Sequence, residues 1–128
     1  MAIGTSVALS TDSPTDVDTN TETFNLRAAD VGSSEYSVPS LTLPTERVLR
    51  IKHTTDANGT RRHLVQFAAT GADSHGVPGT AIINFSISRP ALDYFSEANM
   101  KAFIYELIDF LIEGGAGANV VKILNQEV

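Results

Sequence analysis

Three histidines, His53, His63 and His75, are the residues best suited to metal or proton chemistry in this chain, and none has the neighbours that chemistry needs. No carboxylate stands at ligand spacing beside His53 and His63, and the absence of cysteine removes any Cys-ligated zinc site or thiol nucleophile. Asp73-Ser74-His75 holds the three side-chain types of a hydrolytic triad, but as sequence neighbours in a Gly-rich stretch. A triad requires a nucleophile, a base and an orienting acid that converge in space. There is no phosphate-loop, dinucleotide or H-E-x-x-H pattern. Neither enzymatic activity nor a cofactor or metal is therefore expected.

The chemistry that the spacing does favour is recognition of an anion. The formal charge is −6, yet the segment from Arg47 to Arg89 holds six bases (Arg47, Arg50, Lys52, Arg61, Arg62, Arg89) against two acids (Asp56, Asp73), a local +4. The remainder of the chain carries −10. Such a division within one domain predicts two surfaces of opposite sign, the basic one suited to a polyanion. A solvated, unliganded charge cluster is the plainer alternative.

The elements that would position these residues are mostly strands. Thr5 to Ser10 alternates around Val7 and Leu9, Asp12-Ser13-Pro14 supplies a turn, and Thr21 to Arg27 alternates around Phe24 and Leu26, which predicts an N-terminal hairpin. Asp30 to Ser34, with Gly32, breaks the run. Glu35 to Leu43 reads as a short strand interrupted by Pro39, which makes it an edge or bulged element, and closed by Pro44. Glu46 to Thr70 is a long hairpin around Asp56-Ala57-Asn58-Gly59. With Ala57-Asn58-Gly59 as a three-residue loop and Gly59 in the left-handed position, Asp56 faces Thr60, His53 faces His63, Ile51 faces Val65 and Leu49 faces Phe67. The opposite side of the hairpin then carries Val48, Arg50, Lys52 and Thr54 against Ala68, Gln66, Leu64 and Arg62. One side is apolar and the other polar and basic. Gly71 to Gly79 has the composition of a mobile loop, and Thr80 to Arg89 is a further strand with Ile83, Phe85 and Ile87 on one side and Ile82, Asn84, Ser86 and Ser88 on the other.

After Pro90 the apolar period lengthens to that of a helix. Ser96 is a candidate N-cap, and Met100, Phe103, Ile104, Leu107, Ile108 and Leu111 form one stripe that ends before Gly114-Gly115. The stripe suits the core of a monomer and a dimer interface alike. A second short helix is expected after Asn119. The order predicts a single α+β domain over 1–128, with an N-terminal hairpin (1–29), an antiparallel sheet (35–89) and a helical part (96–128), the helices covering one sheet face and the basic face left open. No segment approaches the ~20 apolar residues that span a bilayer, so no membrane partner is expected. Met1-Ala2-Ile3-Gly4-Thr5 lacks a positive charge ahead of an apolar block, so no secretion signal is expected either.

In element order, and in the run from Arg47 to Gly115 above all, the sequence resembles the coat proteins of small single-stranded RNA bacteriophages. The resemblance covers almost the whole chain and rests on architecture and spacing, since no short fingerprint defines these proteins. It implies an obligate homodimer in which the helices of one subunit lie over the sheet of the other. It further implies an icosahedral shell assembled in the bacterial host cytoplasm, and an inner sheet face that binds and packages viral RNA and in some members represses translation. The RNA-facing positions then fall on Val48, Arg50 and Lys52, on Arg62, Leu64 and Gln66, and on Ile82, Asn84 and Ser86. Asn84 lies six residues before Pro90, where the best-known members place an RNA-contacting asparagine. Ile82 departs from the pattern, standing where they use a base-stacking tyrosine, a contact worth about 1–3 kcal/mol per base. General packaging of RNA is expected rather than tight recognition of one hairpin. The helical stripe would form the dimer interface, and Gly71, His75, Gly76, Pro78 and Gly79 would lie in the loop between dimers. The competing expectation is a small β-rich cellular module that binds a polyanion or peptide without forming a shell.

Overall fold

The computed structural model describes residues 3–10, 21–39, 41, 45–113 and 117–127. The chain divides into two compact units, one running to Ser88 and one from Arg89. The first is a meander of strands: β1 (Ser6–Ser10), β2 (Thr21–Asp30), β3 (Ser33–Ser37), β4 (Arg47–Thr55), β5 (Arg61–Ala72) and β6 (Pro78–Arg89). They pair in sequence order as one six-stranded sheet. The second holds a 3₁₀ turn at Asp93–Phe95 followed by α1 (Glu97–Ile112) and α2 (Ala118–Leu124).

The β4–β5 register is the one the sequence predicts: Leu49 opposite Phe67, Arg50 opposite Gln66, Ile51 opposite Val65, and His53 opposite His63. Its turn shows why. Asp56 N donates to Thr60 O at 3.0 Å, and Gly59, at φ 79°, donates back to Asp56 O at 3.0 Å. The Asp56 Oδ1 atom takes the remaining amides of Asn58 and Thr60, both at 3.0 Å. A side chain thus saturates the turn, and a left-handed glycine closes it.

The same device corrects the expectation of a mobile loop from Gly71 to Gly79. β5 continues through Ala72 and β6 starts at Pro78, so only the residues around Asp73–Val77 turn. Asp73 N donates to Val77 O and Gly76 N to Asp73 O, both at 3.0 Å, while Asp73 Oδ1 accepts from His75 N at 2.8 Å and Val77 N at 2.9 Å. Asp-Ser-His-Gly-Val repeats the geometry of Asp-Ala-Asn-Gly-Thr, including the φ of 78° at Gly76. Pro78 fits as the first residue of a strand, where its missing N–H costs no ladder bond.

Two further boundaries differ from expectation. Between β2 and β3 only Val31 and Gly32 turn, since Gly32 adopts φ 74° and lets both strands run up to it. The short strand expected from Glu35 instead begins at Ser33 and ends at Ser37, before Pro39, and the Leu43 end expected for it lies outside the described residues. Val38 N still reaches Arg47 O at 3.4 Å. The turns expected at Asp12-Ser13-Pro14, Pro44 and Gly114-Gly115 lie outside the described residues.

The core of the sheet unit lies on the face that carries Leu49 and Ile51. Phe24 and Tyr36, each 1% exposed, join Val38, Leu49 and Ile51, with Val7, Leu9, Leu41, Val65 and Phe67 packed around them. Each such fully buried large side chain contributes roughly 1.5–3 kcal/mol. Tyr36 satisfies its hydroxyl on Gly4 O at 3.1 Å, and Glu22 and Arg47 pair at the border of the cluster. In the helical unit, Ser96 caps α1 by accepting from Asn99 N at 3.3 Å, as the sequence predicts. Asn119 Nδ2 donates to Phe110 O at 2.7 Å and satisfies a carbonyl near the C-terminal end of α1.

Candidate nucleic-acid interface

Side chains alternate along a strand, so the face opposite the core is built from β4 positions 48, 50, 52 and 54 and their partners. The β3–β4 register puts Glu35 opposite Arg50, and β4–β5 puts Arg50 opposite Gln66. Hydrogen bonds between Gln66 and Asn84 and between Thr70 and Thr80 extend the same register into β6. One polar row therefore crosses four strands: Glu35, Arg50, Gln66, Asn84.

This row is bonded from end to end. Arg50 Nε donates to Glu35 Oε2 at 2.6 Å, Arg50 Nη1 to Gln66 Oε1 at 3.2 Å, and Gln66 Nε2 to Asn84 Oδ1 at 2.9 Å. A guanidinium has no acceptor, so Gln66 must turn its oxygen towards Arg50 and its amide nitrogen towards Asn84. Asn84 then accepts on its oxygen and keeps its Nδ2 donors for a ligand. Arg27 stands beside Glu35 at 3.6 Å and donates to Glu46 at 2.7 Å. It occupies the β2 bulge between Leu26 and Ala28.

The next two rows run towards the Asp56 turn and hold Lys52, Leu64 and Ser86, then Thr54, Arg62 and Ser88. A hollow of about 380 Å³ opens among Lys52, Thr54, Arg62, Leu64, Ser86 and Ser88. Another, of about 290 Å³, lies against Ala28, Ser33, Glu35, Arg50, Lys52 and Gln66. Arg62 reaches Asp56 at 3.8 Å, with its side chain 65% exposed. Lys52 is exposed and has no ion pair among the described residues. Two cations flanked by hydroxyls can neutralise phosphates and hydrogen-bond their oxygens, while the amides of Gln66 and Asn84 can read base edges.

Of the residues expected to face RNA, Arg50, Lys52, Arg62, Ile82, Asn84 and Ser86 are exposed, and Leu64 and Gln66 are half-buried. Val48 shares the face by register but is 5% exposed, so the accessible part of β4 begins at Arg50. Ile82, 58% exposed, stands clear at the site where an aromatic would stack. Gly71, His75, Gly76, Pro78 and Gly79 are all exposed around the β5–β6 turn. The α1 stripe has no buried member: Phe103, Leu107 and Ile108 are exposed, and Met100, Ile104 and Leu111 are half-buried. Sequence reasoning missed Glu35 and Arg27, because their place beside Arg50 depends on the β2–β3 and β3–β4 registers. The 50/66 pairing offered the only nearby clue, a charged residue in need of a counter-ion.

The histidines lead elsewhere. His53 Nδ1 and His63 Nδ1 meet at 2.8 Å on the core side of the sheet, and no group of three metal-ligating side chains forms among the described residues. Ser74 Oγ touches His75 Nδ1 at 3.3 Å, but Asp73 Oδ1 is engaged by turn amides.

Solved structures share this fold. The coat protein of bacteriophage EMS014 matches with a TM-score of 0.75 over 98% of each chain at 14% identity. The virus-like particle of bacteriophage NT-214 matches at 0.67, over 95% of this chain and 97% of that one, at 14% identity. That of bacteriophage AVE019 matches at 0.61, over 86% and 87%, at 17% identity. No family model and no curated protein matches the sequence. A six-stranded antiparallel meander followed by two helices is thus an α+β fold, and it is the fold of bacteriophage coat proteins.

Proposed function

We propose that the chain is the coat subunit of a bacteriophage virion, that it forms a homodimer through α1, and that its dimers close into an icosahedral shell. Single-stranded RNA is then packaged against the face of β4, β5 and β6. The observation that carries this reading is the polar face of Arg50, Lys52, Arg62, Gln66 and Asn84 on a coat-protein fold. The half-exposed stripe of α1 supports dimerisation, since contiguous exposed apolar surface marks an interface. With Ile82 in place of an aromatic, binding rests on phosphates and amides, so packaging is general rather than confined to one hairpin. The role is structural rather than enzymatic.

Expression of the chain alone tests the reading. Uniform spheres by electron microscopy, elution at the megadalton scale and co-purifying nucleic acid are expected. A clean monomer or isolated dimer, free of nucleic acid across a range of salt, would overturn it.

A further inference from the structure

We infer that Glu35 is a built-in competitor for the RNA backbone: its carboxylate occupies Arg50, so a phosphate must displace it before that cation can be used. The inference rests on the RNA-binding reading above and assigns a part to a residue that reading does not use. Glu35 lies directly across the strand pair from Arg50, and its Oε2 meets Arg50 Nε at 2.6 Å while Oε1 faces Arg27 at 3.6 Å. One carboxylate thus lies against two guanidinium groups. A phosphate oxygen carries the same charge and acceptor geometry, so both anions compete for the same donors. Lys52 has no such internal anion among the described residues, and the Arg62 pair is longer, at 3.8 Å. The face is therefore graded, with cations available at the Asp56 end and a neutralised cation at the Arg50 row.

The pair is also within reach of displacement. The Arg50 and Glu35 side chains are 48% and 25% exposed, and an ion pair of that exposure is weak enough for a polyanion to break. In the free protein Glu35 keeps Arg50 aligned with Gln66 and limits like-charge repulsion with Lys52. In the complex it lowers affinity for any single phosphate and so favours exchange along the RNA.

The test is binding of a short, unstructured oligouridylate to the full-length chain freed of nucleic acid, measured by fluorescence anisotropy across a salt series. Glu35→Gln should bind about three- to fivefold tighter at low salt. Its plot of log affinity against log salt should steepen by about 0.7, the increment for one more phosphate contact to a single strand. Glu35→Asp, which keeps the charge but shortens the reach, should also gain affinity, and the gain from Glu35→Gln should vanish in an Arg50→Gln background. Glu46→Gln removes the same charge without touching Arg50 and should gain less. Wild-type binding with no gain in Glu35→Gln, an equal gain in Glu46→Gln, or a gain that survives loss of Arg50 would each overturn the competitor and leave the RNA reading standing. If wild type and variants alike ignore RNA, the RNA reading fails and takes this inference with it.

Discussion

Among the described residues of the open face Lys52 has no ion pair and Arg62 has only the 3.8 Å contact with Asp56, and the two stand in adjacent rows of paired strands. Replacing both with alanine should leave the fold intact and lower the RNA content of particles. The salt slope of RNA binding should flatten by about 1.4, corresponding to two lost phosphate contacts. Absorbance ratios of purified particles and binding across a salt series would check this. Two glycines make a second contrast. At Gly76 a Cβ would meet nothing within 4 Å, so Gly76→Ala carries only the left-handed backbone penalty, about 1–2 kcal/mol. At Gly32 a Cβ would come within 2.9 Å of His53 O, whose own amide donates to Gly32 O at 2.7 Å. Gly32→Ala should therefore lower the denaturant midpoint more than Gly76→Ala, because a backbone carbonyl must move as well.

Among the elements, legibility followed the locality of the constraint. The β4–β5 register could be read from Asp56 to Thr60, since a two-residue Asn-Gly turn would put Arg50 on the same face as Phe67, whereas the three-residue loop separates polar from apolar and alternation then assigns every partner out to Val48 and Ala68. The β5–β6 turn carries the same Asp-x-x-Gly-x pattern, yet the glycines around it read as loop composition and hid a hairpin. Glu35 could not be placed beside Arg50, because a register across the nine residues between β3 and β4 is set by tertiary packing of Tyr36 against Leu49 rather than by local turn chemistry. The start of α1 was legible from Ser96 together with the change of period after Pro90. What its stripe packs on was not, because the 3.6 period specifies an apolar face without naming its partner. The half-exposed stripe leads to a prediction at this scale. Leu107→Asp, at a position 45% exposed in the single chain, should leave the helical circular dichroism signal near wild type while abolishing dimers and particles, as read by light scattering. Wild-type assembly in that variant would remove α1 from the interface.

For the molecule as a whole, charge is partitioned between segments of the sequence. The +4 of the segment from Arg47 to Arg89 belongs to the strands of the proposed RNA surface, while the −10 of the remainder would suit the outside of the proposed shell, where like charge keeps particles apart in solution. The carboxylates that enter the polar face, Glu35 and Glu46, come from outside the basic segment and moderate it. The strand order has a separate consequence for how such a subunit is made. Each strand of the sheet pairs with the strand synthesised just before it. The nascent chain can therefore add one hairpin at a time as it leaves the ribosome, with no early segment left waiting for a distant partner. The apolar stripe of α1 emerges only after β6. If α1 forms the dimer as proposed, self-association is deferred until the sheet exists, and chains meet as finished building blocks rather than as half-made ones.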